Sequence, residues 1–149
     1  MKVERTFVLV KPEAMEFLKQ TVGMLREKNL QVCLIVILGS GLSEEHINAL
    51  YPGIKGVVKK ALCHHLVGSR LAVVIVEGEN AVKIVCALKG DDIDPSKCAH
   101  DSLRFRFCRS CKPVQLGGGY QYFPNGFHAP KPDEVEEQMG AFKEFFMGF

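Results

Sequence analysis

The chain has 149 residues, 47% of them hydrophobic, and a formal charge of only +2, so it can bury one core and is expected to form a single domain over residues 1–149. Tryptophan is absent, no run of about five like charges occurs and no apolar stretch reaches bilayer-spanning length, which argues against a basic nucleic-acid tail and against a membrane helix. Met1-Lys2-Val3-Glu4-Arg5 enters a strand without the apolar core of a secretory signal, so a cytoplasmic protein with its six cysteines reduced is expected.

Thr6 to Val10 is a continuous apolar run rich in β-branched residues and reads as a buried strand. It delivers Lys11 to the mouth of a helix that starts at Pro12, where a missing N–H is tolerated, and closes near Asn29. LQVCLIVIL, Leu30 to Leu38, is apolar on both faces and reads as a central strand, with Cys33 as core filler. Ser43 caps a short helix from Glu44 to Leu50, and a second is expected over Gly56 to Leu66. Arg70 to Val76 is a third strand, followed by a helix from Glu79 to Lys89 closed by Gly90.

Residues 91 to 124 lack a clear period. They read as a long loop, expanded around 107–124, in which only LRFRF alternates like a strand. A short edge strand near Gly126 to His128 and a helix from about Pro132, with Met139, Phe142 and Phe146 on one side, complete the chain. This order implies an α+β ferredoxin-like sandwich, an antiparallel four-stranded sheet covered by helices.

Two strand ends carry the chemistry. A cation, Lys11, leaves the first strand, and an imidazole, His128, sits on a turn three residues after Asn125. Lysine and histidine so placed are the groups needed to hold a polyphosphate and attack it, although each alone is also ordinary surface chemistry. GGGYQ, from Gly117, lacks the Lys-Ser/Thr of a P-loop, so side chains would have to bind phosphate. Cys98, His100, Cys108 and Cys111 offer four ligand types that suit zinc, but the short Cys98/His100 spacing favours reduced thiols.

In this order the motifs resemble those of the nucleoside diphosphate kinases: ERTFVLVKPEA, LSEEHINAL, VEGENAVKIVCALKG, DDIDPSKCAHDSLRF and NGFH match that family over nearly the whole chain. The resemblance implies ping-pong transfer of a terminal phosphate between nucleoside tri- and diphosphates through a phosphohistidine at His128. It implies Lys11, Arg104 and Asn125 as substrate-binding residues, Mg²⁺ arriving with the nucleotide, and a homo-oligomer, dimer or hexamer, built by pairing across a sheet edge.

The chain also departs from the family's pattern. The family's tyrosine after Glu-His is Ile47, its phosphate-binding arginine falls at Cys86, and its histidine-orienting glutamate falls at Gln138. Ala129-Pro130-Lys131-Pro132 replaces Gly-Ser-Asp-Ser, and the base-clamping phenylalanine has no clear match near Tyr51-Pro52. Lys131, Arg106 and Arg109 are the cations placed to compensate, Lys131 foremost. The alternative is a kinase-like nucleotide-binding or scaffold module that transfers phosphate poorly or not at all.

Overall fold

A computed structural model describes residues 2–145. Four strands form one antiparallel sheet in the order β2-β3-β1-β6, where β1 is Val3–Val10, β2 Gln31–Leu38, β3 Leu71–Glu79 and β6 Phe127–His128. Side chains alternate along a strand, and the core divides accordingly. Val8, Val10, Ala72, Val74 and Val76 point to one face, against Val22 and Leu25 of α1 (Leu18–Glu27) and Val85 and Leu88 of α4 (Ala81–Lys89). Phe7, Leu9, Leu71, Val73 and Ile75 point to the other, against Ile47 and Leu50 of α2 (Glu44–Leu50), Leu62 and Leu66 of α3 (Gly56–Leu66), and Phe142. The expected ferredoxin-like sandwich is the observed one.

The local signals explain most boundaries. Pro12 opens a 3₁₀ turn, Pro12–Phe17, before α1 begins, and Asn29 takes the left-handed conformation, φ 62°, just past its end. Ser43 accepts the N–H of His46 at 3.2 Å to start α2. β3 runs on to Glu79, so the helix expected from that residue begins at Ala81.

Three expectations are corrected. Among the described residues β2 lies at the sheet edge, paired only with β3, and leaves Ile35 40% and Ile37 48% exposed. The hydrophobicity of a strand describes its faces and carries no information about how many strands flank it. Cys33 sits at a bulge in β2 with its thiol 3.7 Å from Glu77 Oε2, so it packs half-buried against the margin of the core and not within it. LRFRF is helical: α5 spans Leu103–Cys108, started by Ser102, whose Oγ accepts the N–H of Phe105 at 3.2 Å. Five alternating residues are too few to tell one period from the other, and the cap decides. The helix buries Leu103, Arg104 and Cys108 and exposes Arg106.

The expanded segment after α5 forms a hairpin, β4 (Val114–Gly117) and β5 (Tyr120–Tyr122), turned by Gly118 and Gly119 with φ of 62° and 83°. The last helix, α6 (Val135–Ala141), starts three residues later than expected, counting from Pro132 to Val135. The expected contact of Phe146 lies outside the described residues. No helix among the described residues is long and apolar enough to cross a membrane.

Candidate active site

Four polar residues that sequence reasoning singled out meet at one end of the sheet, each nearly buried: Lys11 2%, Arg104 6%, Asn125 6% and His128 8% exposed. Lys11 leaves β1, and its backbone N–H bonds Gly126 O at 2.8 Å, which draws the turn before β6 alongside. Lys11 Nζ donates to Asn125 Oδ1 at 2.8 Å, while Asn125 Nδ2 donates to Ile93 O at 3.3 Å, so the amide has one orientation.

That turn is held from below by Glu13. Its carboxylate accepts the Gly126 N–H at 2.9 Å and lies 2.6 Å from His65 Nε2. Burial raises the Glu13 pKa, but His65 and Lys11 outweigh it and leave the group ionised below the usual carboxylate range. Gly126 has φ 79°, and a Cβ there would collide with Cys108 Sγ, so only glycine fits.

Strand alternation sends Phe127 to one face and His128 to the other, where the imidazole packs between Phe7 and Tyr51 at centroid distances of 6.3 and 5.1 Å. Its Nε2 is 2.8 Å from Gln138 Oε1, and Gln138 Nε2 donates to Leu50 O at 3.4 Å. A carbonyl can only accept, so Leu50 fixes the amide, and the amide oxygen in turn requires a proton on His128 Nε2. Nδ1 therefore carries the free lone pair. Burial lowers the His128 pKa to about 3; the Gln138 hydrogen bond opposes this, and Lys11, Lys89 and Arg104 add to it. The ring is thus neutral at neutral pH.

Arg104 is held at both terminal nitrogens. Its Nη1 donates to Asp92 O at 2.9 Å and Gly90 O at 3.4 Å, and Nη2 donates to Phe127 O at 2.8 Å, tying α5 to the end of α4 and to β6. Its Nε is buried without a partner among the described residues. No carboxylate pairs with Lys11 or Arg104 among those residues either, an arrangement that is costly unless an anion arrives.

Beside these groups lies a cleft of about 570 Å³ lined by Tyr51, Lys89, Arg104, His128, Lys131 and others, and a separate chamber of about 200 Å³ is lined by residues that include Lys11, Asn125 and Tyr122. Tyr51, Ile54, Ile93 and Arg104 line both. A further pocket of about 390 Å³ between α3 and the hairpin holds none of the four predicted residues.

The proposed compensating cations divide. Lys131 is exposed at the cleft, but Arg106 lies over the Phe107 ring at 5.9 Å and Arg109 over Phe105 at 5.0 Å, outside the cleft lining. Sequence reasoning missed Lys89, the last residue of α4, one helical turn beyond Cys86. Its pKa falls to about 8 through burial and the charges of Arg104, Lys11 and Lys131, only partly offset by Cys86. Ile47 is wholly buried in the core, and the Cys86 thiol donates to Pro130 O at 3.1 Å.

The possible zinc quartet is not assembled. The Cys98 thiol donates to Asp92 O at 3.3 Å, the His100 ring stacks on Phe105 at 4.2 Å, and no metal-ligating cluster of three occurs among the described residues. The helical α5 separates Cys98, before its start, from Cys108 at its end.

A sequence model of the nucleoside diphosphate kinase family matches residues 4–146. No curated protein sequence matches the chain significantly. Among solved structures, the nucleoside diphosphate kinase of Aquifex aeolicus superposes with a TM-score of 0.73 at 22% identity, covering 95% of each chain. An NDP kinase of Pyrobaculum aerophilum gives 0.77 at 18% identity, covering 95% of this chain and 96% of that one. The Borrelia burgdorferi nucleoside-diphosphate kinase with bound vanadate and ADP gives 0.76 at 16% identity, covering 94% and 86%. At these identities the likeness is one of fold.

Proposed function

Because the chain belongs to the nucleoside diphosphate kinase family, we propose that it transfers the terminal phosphate of a nucleoside triphosphate to a nucleoside diphosphate, with His128 carrying the group between them. The observation that supports this most is the pair of buried cations, Lys11 and Arg104, neither in a direct ion pair among the described residues, beside an imidazole whose Nδ1 makes no hydrogen bond among those residues.

In the first half-reaction, Nδ1 forms a bond to the terminal phosphorus while the bond to the bridging oxygen breaks, and the diphosphate leaves with that electron pair. The positive charge gained by the ring is spread over Nε2–H, which Gln138 Oε1 steadies as a dipole without taking the proton. A diphosphate oxygen then attacks the same phosphorus, restoring neutral His128. Lys11 and Arg104 are the proposed donors to the phosphate chain, and Asn125 the proposed orienting amide. Magnesium carried on the phosphates would neutralise part of their charge; among the described residues no three His, Cys, Asp or Glu side chains gather to hold a metal by themselves.

The exposed Ile35 and Ile37 on the edge strand β2 support pairing with a second copy, and we take the working protein to be a cytoplasmic homo-oligomer. A second reading, a nucleotide-binding module with slow transfer, is favoured by one feature. Gln138 supplies no negative charge to the imidazolium that the reaction creates. Transfer from ATP to a different diphosphate, compared between wild type and His128→Gln, separates the two. The proposal requires turnover that the variant loses, whereas absent turnover with nucleotide binding retained selects the second reading.

A further inference from the structure

Gly126 has no side chain, so at this position the turn that carries Asn125 and His128 is gripped only through its backbone. One short segment takes both polar groups. The carbonyl accepts the N–H of Lys11 at 2.8 Å, and the N–H donates to Glu13 Oε2 at 2.9 Å. The other carboxylate oxygen, Oε1, lies 2.6 Å from Nε2 of His65, on α3.

Only 12% of the Glu13 side chain is exposed, and burial alone would raise its pKa, but the His65 hydrogen bond and charge, with Lys11, bring the carboxyl below its ordinary range. An ionised carboxylate only accepts, so His65 Nε2 carries the proton and donates it. The last torsion of a glutamate is broad, and one hydrogen bond alone would leave the group free to turn. The second bond, at His65, removes that freedom. The imidazole is backed in turn by the hairpin, with the Tyr122 ring at 5.4 Å and 65° to it.

We infer that His65 is a positioning residue for phosphate transfer: it holds Glu13 on the Gly126 N–H, and so sets the turn that aims Asn125 and His128. His65 lies outside the linings of both the cleft and the chamber, so it acts through Glu13 and not on the nucleotide. This rests on the phosphate-transfer reading above and adds a residue of α3 to it. A nucleophile displaced by about 1 Å loses about a hundredfold in rate, whereas Lys11 and Arg104, on β1 and α5, bind phosphate from other elements.

The test is steady-state transfer from ATP to a second diphosphate by wild type, His65→Leu, His65→Gln, Glu13→Ala and the His65→Leu, Glu13→Ala double variant, with NMR amide exchange of each free protein. His65→Leu is expected to lower kcat about tenfold or more with KM within about threefold. His65→Gln, which keeps a donor, is expected to return kcat to within about threefold of wild type. Once Glu13→Ala has removed the intermediary, adding His65→Leu is expected to cost less than about twofold more. In His65→Leu the Gly126 amide is expected to speed up about tenfold more than that of Ile75, which β1 and β2 flank.

A His65→Leu kcat within about twofold of wild type, a loss in His65→Gln as large as in His65→Leu, losses that multiply in the double variant, or equal acceleration at both amides would each overturn the inference while phosphate transfer stands. Wild type without turnover overturns phosphate transfer itself, and with it the task assigned to His65.

Discussion

Gln138 reaches His128 Nε2 at 2.8 Å with its carbonyl oxygen and Leu50 O at 3.4 Å with its amide nitrogen, so a residue of α6 sets the tautomer of a histidine on β6. The arrangement orients the ring as a carboxylate would, but without the charge that a developing imidazolium needs. Gln138→Glu is therefore expected to raise the His128 pKa and to speed transfer by about tenfold or more. It should also lower stability by about 1–3 kcal/mol through the lost bond to Leu50 and the buried charge. Transfer rates and a histidine NMR titration of the variant check both.

The unpaired cations predict that anions stabilise the fold. Triphosphate at about one hundred times its dissociation constant should add about 2.7 kcal/mol and raise Tm by several degrees. Lys11→Met should lose most of that rise while keeping the Tm of the free protein near wild type, because it removes a buried charge along with one bond to Asn125. Thermal melts with and without triphosphate read both quantities.

The sign of the His128 shift gives a pH dependence. Its folded pKa of about 3 lies below the unfolded value of about 6.5, so the unfolded chain binds more protons between them. The stability linked to this group is complete above about 6.5 and is lost as pH falls towards 3. His128→Gln should therefore flatten the decline in stability between about pH 6.5 and 4 relative to wild type, measured by denaturant unfolding.

Gly126→Ala is expected to destabilise the protein by more than about 2 kcal/mol, because φ is 79° and the new Cβ would strike Cys108 Sγ and crowd Ala14. The same strain would shift Asn125 and His128 on either side, so nucleotide affinity should fall together with Tm.

Lys11, Asn125 and His128 were legible because each lies at a strand end, where a short motif fixes both position and direction. Gln138 was legible only through the resemblance, because it falls where the family has its histidine-orienting glutamate. Lys89 was not, since VCALKG shows only a helix and its cap. That its ammonium shares a cleft with Arg104 depends on α5 packing back to the end of α4 through Gly90 and Asp92. The strand expected at LRFRF failed for a local reason, the Ser102 cap. The central position expected for β2 failed because strand order is decided by distant partners, and β3 has β1 on its other side. The hairpin in the expanded segment was hidden because its turn, the Gly117 to Gly119 run, has flanks too short to show a period.

The central claim is that His128 Nδ1 accepts a phosphate. Brief incubation with γ-labelled ATP, followed by acid and alkali treatment of the separated protein, tests it directly. The account predicts acid-labile, alkali-stable label on wild type, chased by added diphosphate and absent from His128→Gln. Label that persists in the variant, or that survives acid, would contradict it.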